Sequence, residues 1–163
     1  MKAVPARLLL HPVHALALGL GAGYSPFMPG TAGTLVGVLL YWPLRDLYWP
    51  WYLALTLGLL LAGIWICGAA ARALQVHDHP AIVWDEIVGY LITMFLAPAG
   101  WPWMVTGFVL FRLFDIWKPW PVRLVDKKVP GGLGIMADDV IAATYAWILL
   151  YIIHILYKVI PVS

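Results

Sequence analysis

The stretch "WPWYLALTLGLLLAGIWICGAAA", residues 49–71, carries no charged side chain and ends at Arg72. About 20 such residues, coiled as a helix, cross the roughly 30 Å hydrocarbon layer of a bilayer. That one segment makes an integral membrane protein the first expectation, and the rest of the chain supports it. Hydrophobic residues make up 63% of the 163 residues and charged ones only 11%. The mean hydropathy is +0.88. Soluble domains run near half apolar and a quarter charged.

Working outward, "GTLVGVLLYWPL" (33–44), extended back over "FMPGTA", predicts a shorter span bounded by Arg45 and Asp46. "IVGYLITMFLAPAGWPW" (87–103) and "MVTGFVLF" (104–111) predict a third and a fourth element, broken at "APAGWP" by its prolines and glycine. "VIAATYAWILLYIIHILY" (140–157) predicts the last span. "HALALGLGAG" (14–23) is too short to cross and reads as an interfacial or re-entrant helix; it lacks the cleavage site of a signal peptide. Trp42, Trp49, Trp51, Trp101 and Trp103 fall at predicted span ends, where aromatic belts form. The expected fold is an all-α integral membrane protein, a compact bundle of about four to five transmembrane or partly spanning helices. Residues 1–163 form one membrane-embedded domain.

Several function classes drop out early. A net charge of +2 with no basic run gives nucleic acid nothing to hold. Lone Cys67, inside an apolar run, allows neither a disulfide framework nor a thiolate metal site within one chain, and reads as a small buried hydrophobe.

Threading these spans divides the polar connections between two membrane faces. Residues 1–31, 72–86 and 112–139 share one face, with Lys2, Arg7, Arg72, Arg112, Lys118, Arg123, Lys127 and Lys128. Arg45 and Lys158 fall on the other. Positive residues mark the cytoplasmic side, so the first face should be cytoplasmic. The acids are equally one-sided: Asp78, Asp85, Glu86, Asp115, Asp126, Asp138 and Asp139 share it, leaving Asp46 opposite.

Asp85 and Glu86 are expected to open one apolar helix, Asp138 and Asp139 another, and Asp115 to lie near the end of a third. Acids at helix N-termini are favoured by the helix dipole, so simple capping would account for four of them. Five acids converging from three helices on one membrane face fit an ion site better, because an uncompensated charge near hydrocarbon costs several kcal/mol. Oxygen ligands without thiolate favour a hard divalent cation, Mg2+ above all. The same face offers phosphate ligands. "GAGYSPFMPGTAGT" (21–34) supplies a glycine-rich turn, Ser25, Thr31 and the start of a helix. "FRLFDIWKPWPVR" (111–123) sets Arg112 and Asp115 three apart on one helical face, with Lys118 just before a proline stop. "DKKVPGGLGIMADD" (126–139) reads as a basic, glycine-rich loop leading into paired acids, its Lys127 and Lys128 facing anionic lipid.

The ordered set "SPFMPGTAGT", "HDHPAIVWDEIVG", "FRLFDIWKPWP" and "GGLGIMADDVIA" resembles the phosphatidylglycerophosphatase A family across about residues 14–145. The resemblance implies a Mg2+-dependent lipid phosphatase of the bacterial cytoplasmic (inner) membrane. It would remove the terminal phosphate of phosphatidylglycerol phosphate in phospholipid biosynthesis. Residues 146–163 carry none of these motifs.

The expected site follows. Asp85, Glu86, Asp138 and Asp139 hold Mg2+, with Asp115 near enough to share it. Arg112, Lys118, Ser25 and Thr31 bind substrate. His77, Asp78, His79 and Asp115 are the catalytic candidates, with His77, Asp78 or His79 as general acid or base and a covalent aspartyl or histidyl phosphate left open. Phospholipid substrate and membrane lipid are the expected partners, with a homo-oligomer left open. The competing reading is a small transporter or channel using the acids as a coupling-ion site. It would need charge spread through the membrane depth, yet residues 49–71 hold none and 140–157 only His154.

Overall fold

The computed structural model describes residues 4–76 and 79–159, leaving out the side chain of Lys127. All regular structure among the described residues is helical, with no strand. A short 3-10 segment leads into α1 (Pro12–Ala17), followed by a second 3-10 segment, Gly19–Tyr24. Then come α2 (Pro29–Leu44), α3 (Trp49–Leu74), α4 (Trp84–Thr93), α5 (Trp101–Trp117), α6 (Val122–Lys128) and α7 (Gly131–Val159).

Two helices are long and apolar enough to cross a membrane: α3, with 26 residues, and α7, with 29. At 1.5 Å per residue they reach about 39 and 44 Å. These two helices and the apolar composition fit a membrane protein. α2 and α5, with 16 and 17 residues, are shorter. α1 is a helix of 6 residues, which cannot cross.

The centre of the bundle is α4. It has 10 residues, about 15 Å of helix, and nearly every side chain on it is buried. α2 lies against one side of it through a row of small residues. A Cβ added at Gly37 would sit 3.1 Å from the Ile87 carbonyl and from Tyr90 Cβ, so any side chain there would push the two helices apart by a few tenths of an ångström. α7 lies against the other side and also against α3, where Cys67 Sγ meets Met136 Sδ at 3.7 Å. A Cβ on Gly132 would overlap the Ile64 carbonyl oxygen.

A helix that stops inside apolar surroundings must find donors for its last carbonyls. Here the Met94 and Phe95 N–H groups serve the Tyr90 and Ile92 carbonyls, and aromatic side chains serve Leu91 within α4 and Phe95 just past its end. Tyr52 donates its hydroxyl to the Leu91 carbonyl at 2.7 Å, and Trp147 its indole N–H to the Phe95 carbonyl at 2.8 Å. Tyr90 donates onward to the Met104 carbonyl at 3.0 Å. Tyr41 packs edge-on against both Tyr52 and Tyr90. At the opposite end, the Val83 N–H just before α4 donates to the Ala17 carbonyl at 2.8 Å, seating the amino-terminal segment beneath the start of α4.

The structure corrects three boundaries. The third predicted element stops at Thr93, ten residues early, and Trp101–Trp103 belong to α5; Gly100, at φ 117°, makes the break. The predicted loop 126–139 is largely helix, formed by α6 and the first turns of α7. Asp138 and Asp139 therefore lie two turns inside α7 and do not open it. The capping explanation fails for them.

Candidate active site

Four segments bring polar groups to one cleft of about 380 Å³. The first turn of α4 contributes Asp85 and Glu86. α5 contributes Arg112 and Asp115, and its left-handed C-cap, Lys118, follows. α7 contributes Asp138 and Asp139, and α2 lends Pro29 and Gly30 from its first turn. Five acids and two bases thus line the cleft, a formal charge of −3 (2 − 5) with all groups ionised.

The bases are already engaged. Arg112 pairs with Asp115 one turn along α5 and approaches Glu86 at 3.7 Å. Lys118 Nζ donates to Asp138 at 2.6 Å and to Asp126 of α6 at 2.9 Å. Burial alone would lower the Lys118 pKa, but these two carboxylates override it and hold the pKa above the usual lysine value. The lysine stays cationic.

Of the remaining acids, Glu86 has the distant Arg112 contact, and Asp85 and Asp139 have no ion pair with a base among the described residues. Asp85 and Asp139 are buried, at 8% and 3% exposure. One carboxylate oxygen from each of Asp85, Glu86 and Asp139 lies within 4.8 Å of the other two. Asp85 Oδ1, Glu86 Oε2 and Asp139 Oδ2 are buried with no hydrogen-bond partner among the described residues. Buried acceptors left unpaired cost a few kcal/mol each, and like charges brought together add to that. A divalent cation removes both penalties, and an all-oxygen donor set suits a hard one. The residues present fit such an ion.

Gly30 controls how close α2 comes. A Cβ there would overlap Glu86 Oε1 and lie 3.0 Å from both terminal nitrogens of Arg112. The backbone of α2 thereby forms a wall of the cleft, and its first-turn N–H groups have no intrahelical acceptor.

Of the residues expected from sequence, Asp85, Glu86, Asp115, Asp138, Asp139, Arg112 and Lys118 meet in the cleft. Ser25 and Thr31 do not line it; Thr31 faces an adjoining apolar groove with Arg112. His79 is buried beside the start of α4, with Nδ1 accepting the Ala81 N–H at 3.2 Å, and is not among the cleft-lining residues. His77 and Asp78 lie outside the described residues. Gly30 and Asp126 were not singled out by the sequence reading. Gly30 stands in the motif "PGTAGT", but its neighbours Glu86 and Arg112 come from two other helices. Asp126 reaches Lys118 only through the turn between α5 and α6.

A family model for phosphatidylglycerophosphatase A matches residues 15–154. Among curated proteins, phosphatidylglycerophosphatase A of Escherichia coli (strain K12) is 43% identical over 145 residues, 88% of this chain and 84% of that one. Its namesake in Haemophilus influenzae is 44% identical over 151 residues, covering 90% and 91%. A relative from Bacteroides thetaiotaomicron, provisionally described as a phosphatidylinositol-3-phosphatase, is 40% identical over 147 residues, covering 83% and 89%. No solved structure matches. These likenesses leave no place for the transporter reading. A cleft that gathers carboxylates, an arginine and a lysine from α4, α5 and α7 is thus found in a chain that belongs to the phosphatidylglycerophosphatase A family and is a phosphatase, a phosphoric monoester hydrolase.

Proposed function

We propose that the chain hydrolyses the terminal phosphate of phosphatidylglycerol phosphate, releasing phosphatidylglycerol and inorganic phosphate, and that it needs Mg2+ to do so. The observation that carries the metal requirement is the trio of unpartnered, buried carboxylate oxygens on Asp85, Glu86 and Asp139. Those three acids, with Asp138 beside them, would hold the ion. When bound, Mg2+ supplies charge neutralisation at the phosphoryl oxygens and makes water a better nucleophile.

The remaining work belongs to the chain. A phosphate monoester carries about two negative charges, and its transfer is catalysed mainly by positioning and electrostatic stabilisation. Arg112, oriented by Asp115, presents a planar fork to two non-bridging oxygens. Lys118, kept charged by Asp138 and Asp126, adds a point charge. Asp115 is the cleft carboxylate we assign to the attacking water or, in a covalent route, to phosphorus itself. His77, Asp78 and His79 precede α4 in sequence and are the proposed source of the proton that leaves with the glycerol oxygen.

The protein is proposed to cross the cytoplasmic membrane several times with this cleft on the cytoplasmic side, which the one-sided distribution of Lys and Arg supports. Phosphate release from phosphatidylglycerol phosphate by detergent-purified protein, with and without EDTA, tests the proposal. Release that needs Mg2+ is expected. Full activity in excess chelator would overturn the metal assignment, and no release under any ion would overturn the substrate.

A further inference from the structure

Beside the polar cleft runs an apolar groove of about 610 Å³ between the start of α2 and the outer face of α5. Its walls include Phe108, Val109, Leu113 and Trp117. Met28, Arg112 and Ile116 line both the groove and the cleft, so the two form one continuous depression. Thr31 also lines the groove, and its Oγ1 is buried with no hydrogen-bond partner among the described residues. A hydroxyl in such surroundings calls for an acceptor or donor from elsewhere.

We propose that this groove holds an acyl chain of the lipid whose phosphate occupies the cleft. The inference rests on the phosphatase reading above and deepens it. A glycerophospholipid with a phosphomonoester head has a matching order of parts: a dianion, a short polar backbone of ester and phosphodiester oxygens, then hydrocarbon. The depression offers the same order, from the acid and base cluster, past Arg112 and Thr31, to the α5 side chains. A second apolar groove, about 310 Å³ between α3 and α7, includes Leu57, Leu60 and Trp147. It shares no lining residue with the cleft, so a lipid with its head in the cleft has no direct path into it. A depression of about 550 Å³ at Trp120 and Arg123 also meets the cleft, at Lys118, but the α2–α5 groove shares three residues with the cleft and has Arg112 as its one charged lining residue, which selects it as the lateral entrance from the membrane.

The test uses full-length protein in nanodiscs with phosphatidylglycerol phosphate bearing a diazirine in mid-chain, and mass spectrometry to map the adducts. Adducts should fall on Val109, Leu113 and neighbouring groove residues, and excess unlabelled lipid phosphate should suppress them where phosphatidylcholine does not. Adducts on Leu57 or Trp147, or equal suppression by phosphatidylcholine, would overturn the groove. A kinetic arm uses Val109→Trp and Leu113→Trp. Both side chains are exposed on the helix surface, at 55% and 51%, so the added bulk enters the groove and not the core. Each should lower the ratio of kcat/KM for dioleoyl over dihexanoyl substrate about tenfold, the worth of roughly two buried methylenes. An unchanged ratio would overturn the groove. Groove adducts with no phosphate release from the wild-type protein would keep the groove and overturn the phosphatase reading, so the two failures are distinguishable.

Discussion

Gly30→Ala should separate folding from catalysis. The new methyl would overlap Glu86 Oε1 and stand 3.0 Å from both Arg112 terminal nitrogens. All three atoms are the far ends of flexible side chains, so they can swing aside at small cost to stability. The helix itself gains, because Ala in place of Gly favours a helix by up to about 1 kcal/mol. What cannot be retained is the placing of the two groups. Misplacing catalytic groups by about 1 Å costs on the order of a hundredfold in rate, close to 2.7 kcal/mol of transition-state stabilisation. Gly30→Ala should therefore show turnover near one-hundredth of wild type, with a melting temperature in detergent equal or slightly higher. Gly58→Ala is the matched control. It also sits in a helix, α3, and a Cβ there meets nothing within 4 Å, so turnover should not change. Phosphate release and thermal unfolding measured on the same preparations decide the matter. Turnover of Gly30→Ala within threefold of wild type would refute the claim that close approach of α2 positions Glu86 and Arg112.

Asp85→Asn and Asp139→Asn each remove a charge from the oxygen trio and should cut turnover on the order of a hundredfold or more, with melting temperatures within a few degrees of wild type. Asp46→Asn, whose carboxylate is exposed and, among the described residues, ion-paired only with its neighbour Arg45, should be silent in the same assay. Tyr52→Phe leaves the Leu91 carbonyl without its side-chain donor and should cost about 1–3 kcal/mol of stability, read as a lower melting temperature with kcat retained. In a Cys67→Ala background, a cysteine at position 128 should resist impermeant maleimide in intact cells and one at position 47 should label; the reverse pattern would put the cleft on the outer side.

The acids and bases of the cleft were legible in the sequence because charge is rare in this chain and each instance stands out against hydrocarbon. Arg112 and Asp115 were placed together correctly, since a spacing of three on a helix needs no tertiary information. Glycine misled the reading at the start of α7. Gly131, Gly132 and Gly134 each cost a helix about 1 kcal/mol relative to Ala, so "GGLG" reads as loop. Gly132 earns its place by contact, since any side chain would strike the Ile64 carbonyl of α3. Close packing between helices outweighs local propensity here.

That one misreading bears directly on the chemistry. Had α7 begun at Val140, Asp138 and Asp139 would have been caps, replaceable by Asn or Ser with little loss. Within a continuous helix they have no free backbone N–H to serve, and burial must be balanced by other means. Asp138 is balanced by Lys118. Asp139 points one oxygen at no donor among the described residues, close to Asp85 and Glu86. Asp85 and Glu86 do sit in the first turn of α4, where the helix dipole favours acids, but the N-cap position is Val83 and no side chain makes an N-cap hydrogen bond. A short buried helix whose Leu91 carbonyl is met by Tyr52, with Trp147 fastening the Phe95 carbonyl just past its end, can therefore hold its two acids against α7 at fixed depth. Packing and a tyrosine donor hold α4 at one end, which supports the proposal that the acids at its other end hold an ion.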